Sequence, residues 1–202
     1  MRNQQKQSDL MTVSAGFARL MATENIGVRI DTRASTASFD TQARVLTMPN
    51  WDASDRLRDM LVAHECAHAI FTDATDLPTL VRERVGANFA IAKDYLNVVE
   101  DARIDRLIQR RYPGTRRDYA AGYREMIEKD FFGINGRNVN RLPLIDRINL
   151  HFKGMEGKIA FDAIERTFVD RIEAAETFDE VCEIARDLYE YAAKQEQEQQ
   201  EQ

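Results

Sequence analysis

Apolar side chains recur at two different spacings along this chain, and the switches between them mark its elements. Leu10, Met11, Phe17, Leu20 and Met21 fall at roughly helical intervals, which predicts a helix over Ser8 to Glu24 that stops at Asn25-Ile26-Gly27. Val28-Arg29-Ile30-Asp31 alternates and suits a short strand. Ala37 to Met48 carries Phe39, a turn at Asp40-Thr41-Gln42 and then Val45-Leu46-Thr47-Met48 before Pro49, the pattern of a hairpin or of two short strands. The period then returns to three and four. Leu57, Met60, Leu61, His64, His68 and Phe71 share one helix face, with Asp52 as N-cap and Asp55 in the first turn, where the helix dipole favours negative charge. Thr72 to Pro78 ends this helix.

A second helical stretch spans about Thr79 to Tyr112, with Gly86 as a point of interruption and Tyr112-Pro113-Gly114 as its close. Arg117 to Phe132 reads as another helix, and Gly133 to Arg141 as a loop rich in Gly and Asn. Helical patterns follow at Leu144–Phe152, Ile159–Glu173 and Phe178–Ala193. Residues 194–202 are almost pure Gln and Glu, so past the end of any core they read as frayed helix or linker. The pattern predicts one α+β domain over 1–193, mainly helical, with a small N-terminal sheet and a helical C-terminal portion over about 117–193.

Composition adds limits. With 44% apolar residues in 202, a substantial core is expected. A net charge of -6 argues against a general nucleic-acid binder or a protein of anionic membranes. The two cysteines, Cys66 and Cys182, lack the spacing of a disulfide framework and read as reduced thiols. The polar start, Met1 to Asp9, does not resemble a signal peptide, and no apolar run is long enough to span a bilayer. These features lead us to expect a soluble, cytoplasmic protein.

The chemistry concentrates in His64-Glu65-Cys66-Ala67-His68. Residues four apart stand on one helix face, so both imidazoles can be directed at one ion, and zinc is the expected cofactor. Glu65 lies one position round, within reach of a water on the ion without being a ligand. Zinc lowers the pKa of such a water towards roughly 7, and a nearby carboxylate can take its proton as the nucleophile forms. The flanking residues, Leu61, Val62, Ala63, Ala67, Ala69 and Ile70, are apolar. A His-Glu-His strip in such a helix is costly unless paired or metallated.

A catalytic zinc usually has three protein ligands. The chain has three histidines, and the third, His151, lies far downstream. The third ligand is therefore sought among the acids of Asn97-Val98-Val99-Glu100-Asp101-Ala102-Arg103-Ile104-Asp105, which interrupt an apolar helical stripe. Glu100 and Asp101 stand about 100° apart on a helix, so one of them is expected to bind. The longer arm of Glu100 favours it. Asp101 then holds a ligand imidazole by its remaining N–H, or is itself the ligand. Asn97, one turn earlier, could line the same site. The competing reading is a solvated face of acid–Arg pairs, such as Glu100 with Arg103.

An HExxH helix followed by a helix bearing NxxED resembles the metallopeptidase domains that precede von Willebrand A modules in bacteria and their phages, including relatives of the cobaltochelatase CobT-like group. The resemblance covers about Leu57 to Tyr123, through His64-Glu65-Cys66-Ala67-His68, the segment from Asn97 to Asp105 and Arg111-Tyr112-Pro113-Gly114. It implies a zincin-like fold, in which an edge strand, here Arg44 to Met48, lies above the active-site helix and receives an extended peptide substrate. It also implies a Gln/Glu-rich linker to a von Willebrand A module. An AAA+ ATPase partner is implied by analogy with the chelatases.

Other residues carry weaker expectations. Tyr119 and Tyr123, four apart, are candidates for oxyanion stabilisation, though aromatic core packing is the plainer reading. His151 reads as a helix-surface or capping residue. Arg103, Arg106, Arg110, Arg111, Arg116 and Arg117, interleaved with Asp105 and Asp118, read as a solvated face. Cys66 should point into helix packing as a small hydrophobe. The expected activity is hydrolysis of peptide bonds by a zinc metallopeptidase, with Glu65 as general base. The alternative is a non-catalytic zinc protein of structural or assembly type, or a partner of an ATPase, of host or phage origin.

Overall fold

In the computed structural model, residues 25–34, 37–40, 43–49, 53–73 and 76–200 are described, and all structural statements below concern them. The helix expected over Ser8 to Glu24 and the Asp52 cap lie outside them. The protein is mainly helical with a small three-stranded sheet. Two compact units are distinguished: residues 1–70 with 108–129, and residues 71–107 with 130–202.

The first unit holds the sheet. Strands β1 (Gly27–Asp31), β2 (Ser38–Asp40) and β3 (Val45–Pro49) lie in the order β1-β3-β2. β3 runs parallel to β1, pairing Gly27 with Val45, and antiparallel to β2, pairing Phe39 with Leu46. The alternation along β3 buries Leu46 and Met48, as a strand with one covered face requires. The sequence reading is corrected here in one respect. Arg44 lies in the turn, and residues 45–48 belong to the central strand, with both sides of its ladder paired, so among the described residues the free edges belong to β1 and β2. The reason is the parallel return of β1, which strand alternation cannot reveal.

Helix α1 (Asp55–Phe71) follows. Ser54 caps it, its hydroxyl oxygen accepting from the Leu57 N–H at 3.1 Å. Of the predicted face, Leu57, Met60 and Leu61 are buried, whereas His64, His68 and Phe71 are half-buried. Arg56 reaches Asp118 at 2.5 Å, on the later helix α4 (Arg116–Glu128). The two helices approach closely at Gly122, where a Cβ would meet the Met60 sulfur at 2.6 Å. Tyr119 and Tyr123 are buried, with ring centroids 5.8 Å apart and edges turned to one another, in accord with core packing.

The second unit is all helix among the described residues. The long helix expected over Thr79 to Tyr112 is broken at Gly86 into α2 (Leu77–Arg84) and α3 (Phe89–Arg111). Gly86 sits against the Tyr189 ring, which a Cβ would meet at 2.5 Å, so the break lets a backbone lie flat on an aromatic face. Three later helices complete this unit: α5 (Leu144–Leu150), α6 (Ala163–Ala174) and α7 (Phe178–Gln200). Asp162 and Glu165 form a capping box at the start of α6. The core is built from Val81, Leu96, Val99, Ile148, Val169 and Leu188, all nearly inaccessible. α7 continues to Gln200, so the Gln/Glu-rich stretch is helical through that residue.

Candidate metal centre

Four-residue spacing on α1 puts His64 and His68 on one face, both half-buried. Their rings meet edge to face with centroids 4.9 Å apart. Both remain partly accessible, whereas Ala63, Cys66 and Ala67 are inaccessible. Glu65 is buried at 6% exposure, one position round from the histidine face. Cys66 is packed inward, the small-hydrophobe role expected of it.

The two acids of α3 meet different fates. Glu100 is 3% exposed and both its oxygens are taken. Arg103 donates from Nε to Oε2 and from Nη2 to Oε1, each at 2.8 Å, in the forked geometry of the strongest arginine–carboxylate pairs. The Thr72 hydroxyl donates to Oε1 at 2.6 Å. Arg103 is satisfied in turn by the carbonyls of Glu176 at 3.0 Å and Phe71 at 2.8 Å. This is a closed buried network, so Glu100 and Arg103 lie inside the unit and not on a solvated face. Arg103 therefore leaves the expected solvated face. Arg106 also turns inward, to the Ala175 carbonyl and to Glu176 at 2.8 Å.

Asp101 is more open. Its side chain is 18% exposed, and Lys153 Nζ stands 3.2 Å from Oδ2. Asn97, expected to line the site, is exposed. His151 is buried, not on the surface: it lies edge-on between Phe152 and Phe161, at centroid distances of 5.0 and 5.4 Å. Its Nε2 lies 3.6 Å from a Glu173 carboxylate oxygen, and its Nδ1 has no hydrogen-bond partner. The aromatic neighbours explain the burial, since an imidazole ring packs as a flat apolar body on its faces and edges. Cys182 offers no nucleophile. Burial pushes its thiol above the ordinary value; nearby Arg84 opposes this, and Asp179 and Glu100 add to it.

Thr72, Arg103 and Lys153 are the residues that motif reasoning missed as determinants of this centre. For Arg103 a signal existed in the three-residue spacing from Glu100. For Thr72 and Lys153 there was none, because they reach α3 from 28 and 52 positions away in sequence. The two half-buried imidazoles of α1 are donors that suit zinc, so these side chains fit such an ion. The chain matches no family model, no curated protein and no solved structure.

Proposed function

We propose that this chain is a zinc-dependent metallopeptidase, with His64, His68 and Asp101 as metal ligands and Glu65 as general base. The observation that carries the reading is the half-buried His64–His68 pair on one face of α1, with Glu65 buried beside it in the same helical turn. The choice of acid rests on occupancy. Glu100 would have to surrender Arg103 and Thr72 to bind a metal, leaving a buried guanidinium uncompensated. The Asp101 side chain is more accessible, at 18% exposure.

When bound, zinc would act as a Lewis acid towards water and the substrate carbonyl. Glu65 then supplies the proton chemistry, taking a proton from the attacking water and returning it to the leaving amine. Its burial beside apolar helix residues keeps competing solvent away from that carboxylate. The substrate class that follows is peptide or protein. The resemblance to domains preceding von Willebrand A modules extends the proposal to such a module, or an AAA+ ATPase, as partner in the bacterial or phage-infected cytoplasm. No helix among the described residues is long and apolar enough to cross a membrane.

Metal analysis and peptide cleavage test the reading together. His64→Ala and His68→Ala should each abolish stoichiometric zinc, while Glu65→Gln should keep zinc and lose turnover by at least about 100-fold, the lower range for a general base. A Glu65→Gln protein cleaving at the wild-type rate would sink the mechanism. The second reading is a zinc protein without catalysis, in which the same helix holds the ion only for stability or partner binding. It predicts zinc uptake by the wild type with no Glu65-dependent cleavage of any peptide library.

A further inference from the structure

Where α3 ends and α4 begins, four arginines stand within eight residues, Arg110-Arg111-Tyr112-Pro113-Gly114-Thr115-Arg116-Arg117, with no acid among them. The whole stretch belongs to the first compact unit. A short 3-10 turn, Pro113–Thr115, joins the two helices. It is fixed from within: Thr115 is buried, and its N–H and hydroxyl both donate to the Tyr112 carbonyl, at 3.0 and 2.9 Å. The turn therefore carries both arginine pairs on one corner, and all four side chains are exposed.

The acids that alternate with arginines in this part of the sequence do not share that surface. Asp105 and Asp118 are buried, at 7% and 6% exposure, and Arg56 engages the Asp118 carboxylate at 2.5 Å. Among the described residues no carboxylate forms an ion pair with Arg111, Arg116 or Arg117. Arg111 instead lies over the Tyr112 ring, 5.5 Å from its centroid, which steadies the guanidinium without reducing its charge. Arg116 and Arg117 occupy the first turn of α4, where the helix dipole disfavours positive charge. Helix stability therefore does not explain them. The face expected to balance its charges is cationic, in a chain of net charge -6.

We propose that this corner, formed by Arg110, Arg111, Arg116 and Arg117, is a docking surface for an acidic segment of a partner protein. Guanidinium forks match carboxylates two hydrogen bonds at a time. Nucleic acid offers phosphates to the same forks, but the net charge of the chain decides against it. Duplex DNA carries a charge every ~1.7 Å and would run on past the corner over an acidic protein. A short acidic segment meets the four arginines alone, and charges beyond a Debye length, ~8 Å at physiological salt, are screened. The proposal does not depend on metal binding.

Binding of a fluorescein-labelled decaglutamate peptide to the full chain is followed by fluorescence anisotropy, beside an oligothymidylate decamer carrying the same label. The wild type should bind decaglutamate more tightly than the DNA, and its affinity should fall as salt is raised. R116E/R117E should weaken decaglutamate binding at least about tenfold, since two attractions are replaced by two repulsions. The reversed charges suit the helix dipole, so this variant should melt no lower than the wild type. Should it fail to fold, R111Q/R117Q serves the same comparison. R82E/R186E, which changes net charge equally at exposed positions outside the corner, should weaken binding far less. No decaglutamate binding, binding that R116E/R117E leaves unchanged, or equal weakening by R82E/R186E each overturns the proposal. Tighter binding of the DNA assigns the corner to nucleic acid and overturns the acidic protein as its partner.

Discussion

At Glu100, three hydrogen bonds converge on a side chain that is 3% exposed. Such a group is costly to disturb from either side. Arg103→Met should destabilise the protein by about 3–5 kcal/mol in denaturant titration, because it strands a buried carboxylate. A loss below about 1 kcal/mol, as for an exposed pair, would contradict the closed network. Glu100→Gln probes a different point. It keeps the shape and one acceptor, so zinc affinity should stay within a few-fold of wild type, whereas Asp101→Asn should lower it at least about tenfold. The reverse ranking in a chelator competition would restore Glu100 as the ligand.

The elements that carry these residues depend on their ends. Ser54 does two jobs at the start of α1: its oxygen caps the helix, and its hydroxyl and backbone N–H both donate to Glu125 near the end of α4. Ser54→Ala should cost about 1 kcal/mol from the cap alone. Burial pushes the Glu125 carboxyl up, but Ser54 and the Lys129 ammonium outweigh it and hold it below the ordinary carboxylate value. A carboxyl depressed in the folded state contributes stability that is fully present above its unfolded value, about 4.3, and is lost as pH falls through the folded value. Melting temperatures followed from about pH 6 to about pH 3 should therefore fall less steeply in Glu125→Gln than in the wild type. Equal slopes would remove Glu125 from the acid response. Between α2 and α3, Gly86→Ala would drive a methyl into the Tyr189 ring and should cost about 1–3 kcal/mol, read by thermal melting.

For the molecule as a whole, a bound ion adds to stability by mass action. Zinc at 100 times its dissociation constant should raise unfolding free energy by about 2.7 kcal/mol, a gain that chelation reverses and His64→Ala abolishes. Calorimetry with and without chelator checks this, and identical melting curves would exclude folded-state binding. Local rules already exposed much of the architecture. The apolar period placed α1, and the Tyr112-Pro113-Gly114 breaker placed the end of α3. The HExxH spacing implied the facing histidines, because a helix brings residues four apart together without help from the rest of the chain. Strand order, the depth of His151 and the partner of each acid were decided by tertiary structure. Two adjacent acids of one helix look alike to any local rule. What separates them is that Thr72 and Glu176 close the network around Glu100 and Arg103 from 28 and 73 positions away, while Lys153 reaches Asp101 from 52. Burial and pairing of a charge are properties of the packed chain, so only the fold could choose between them.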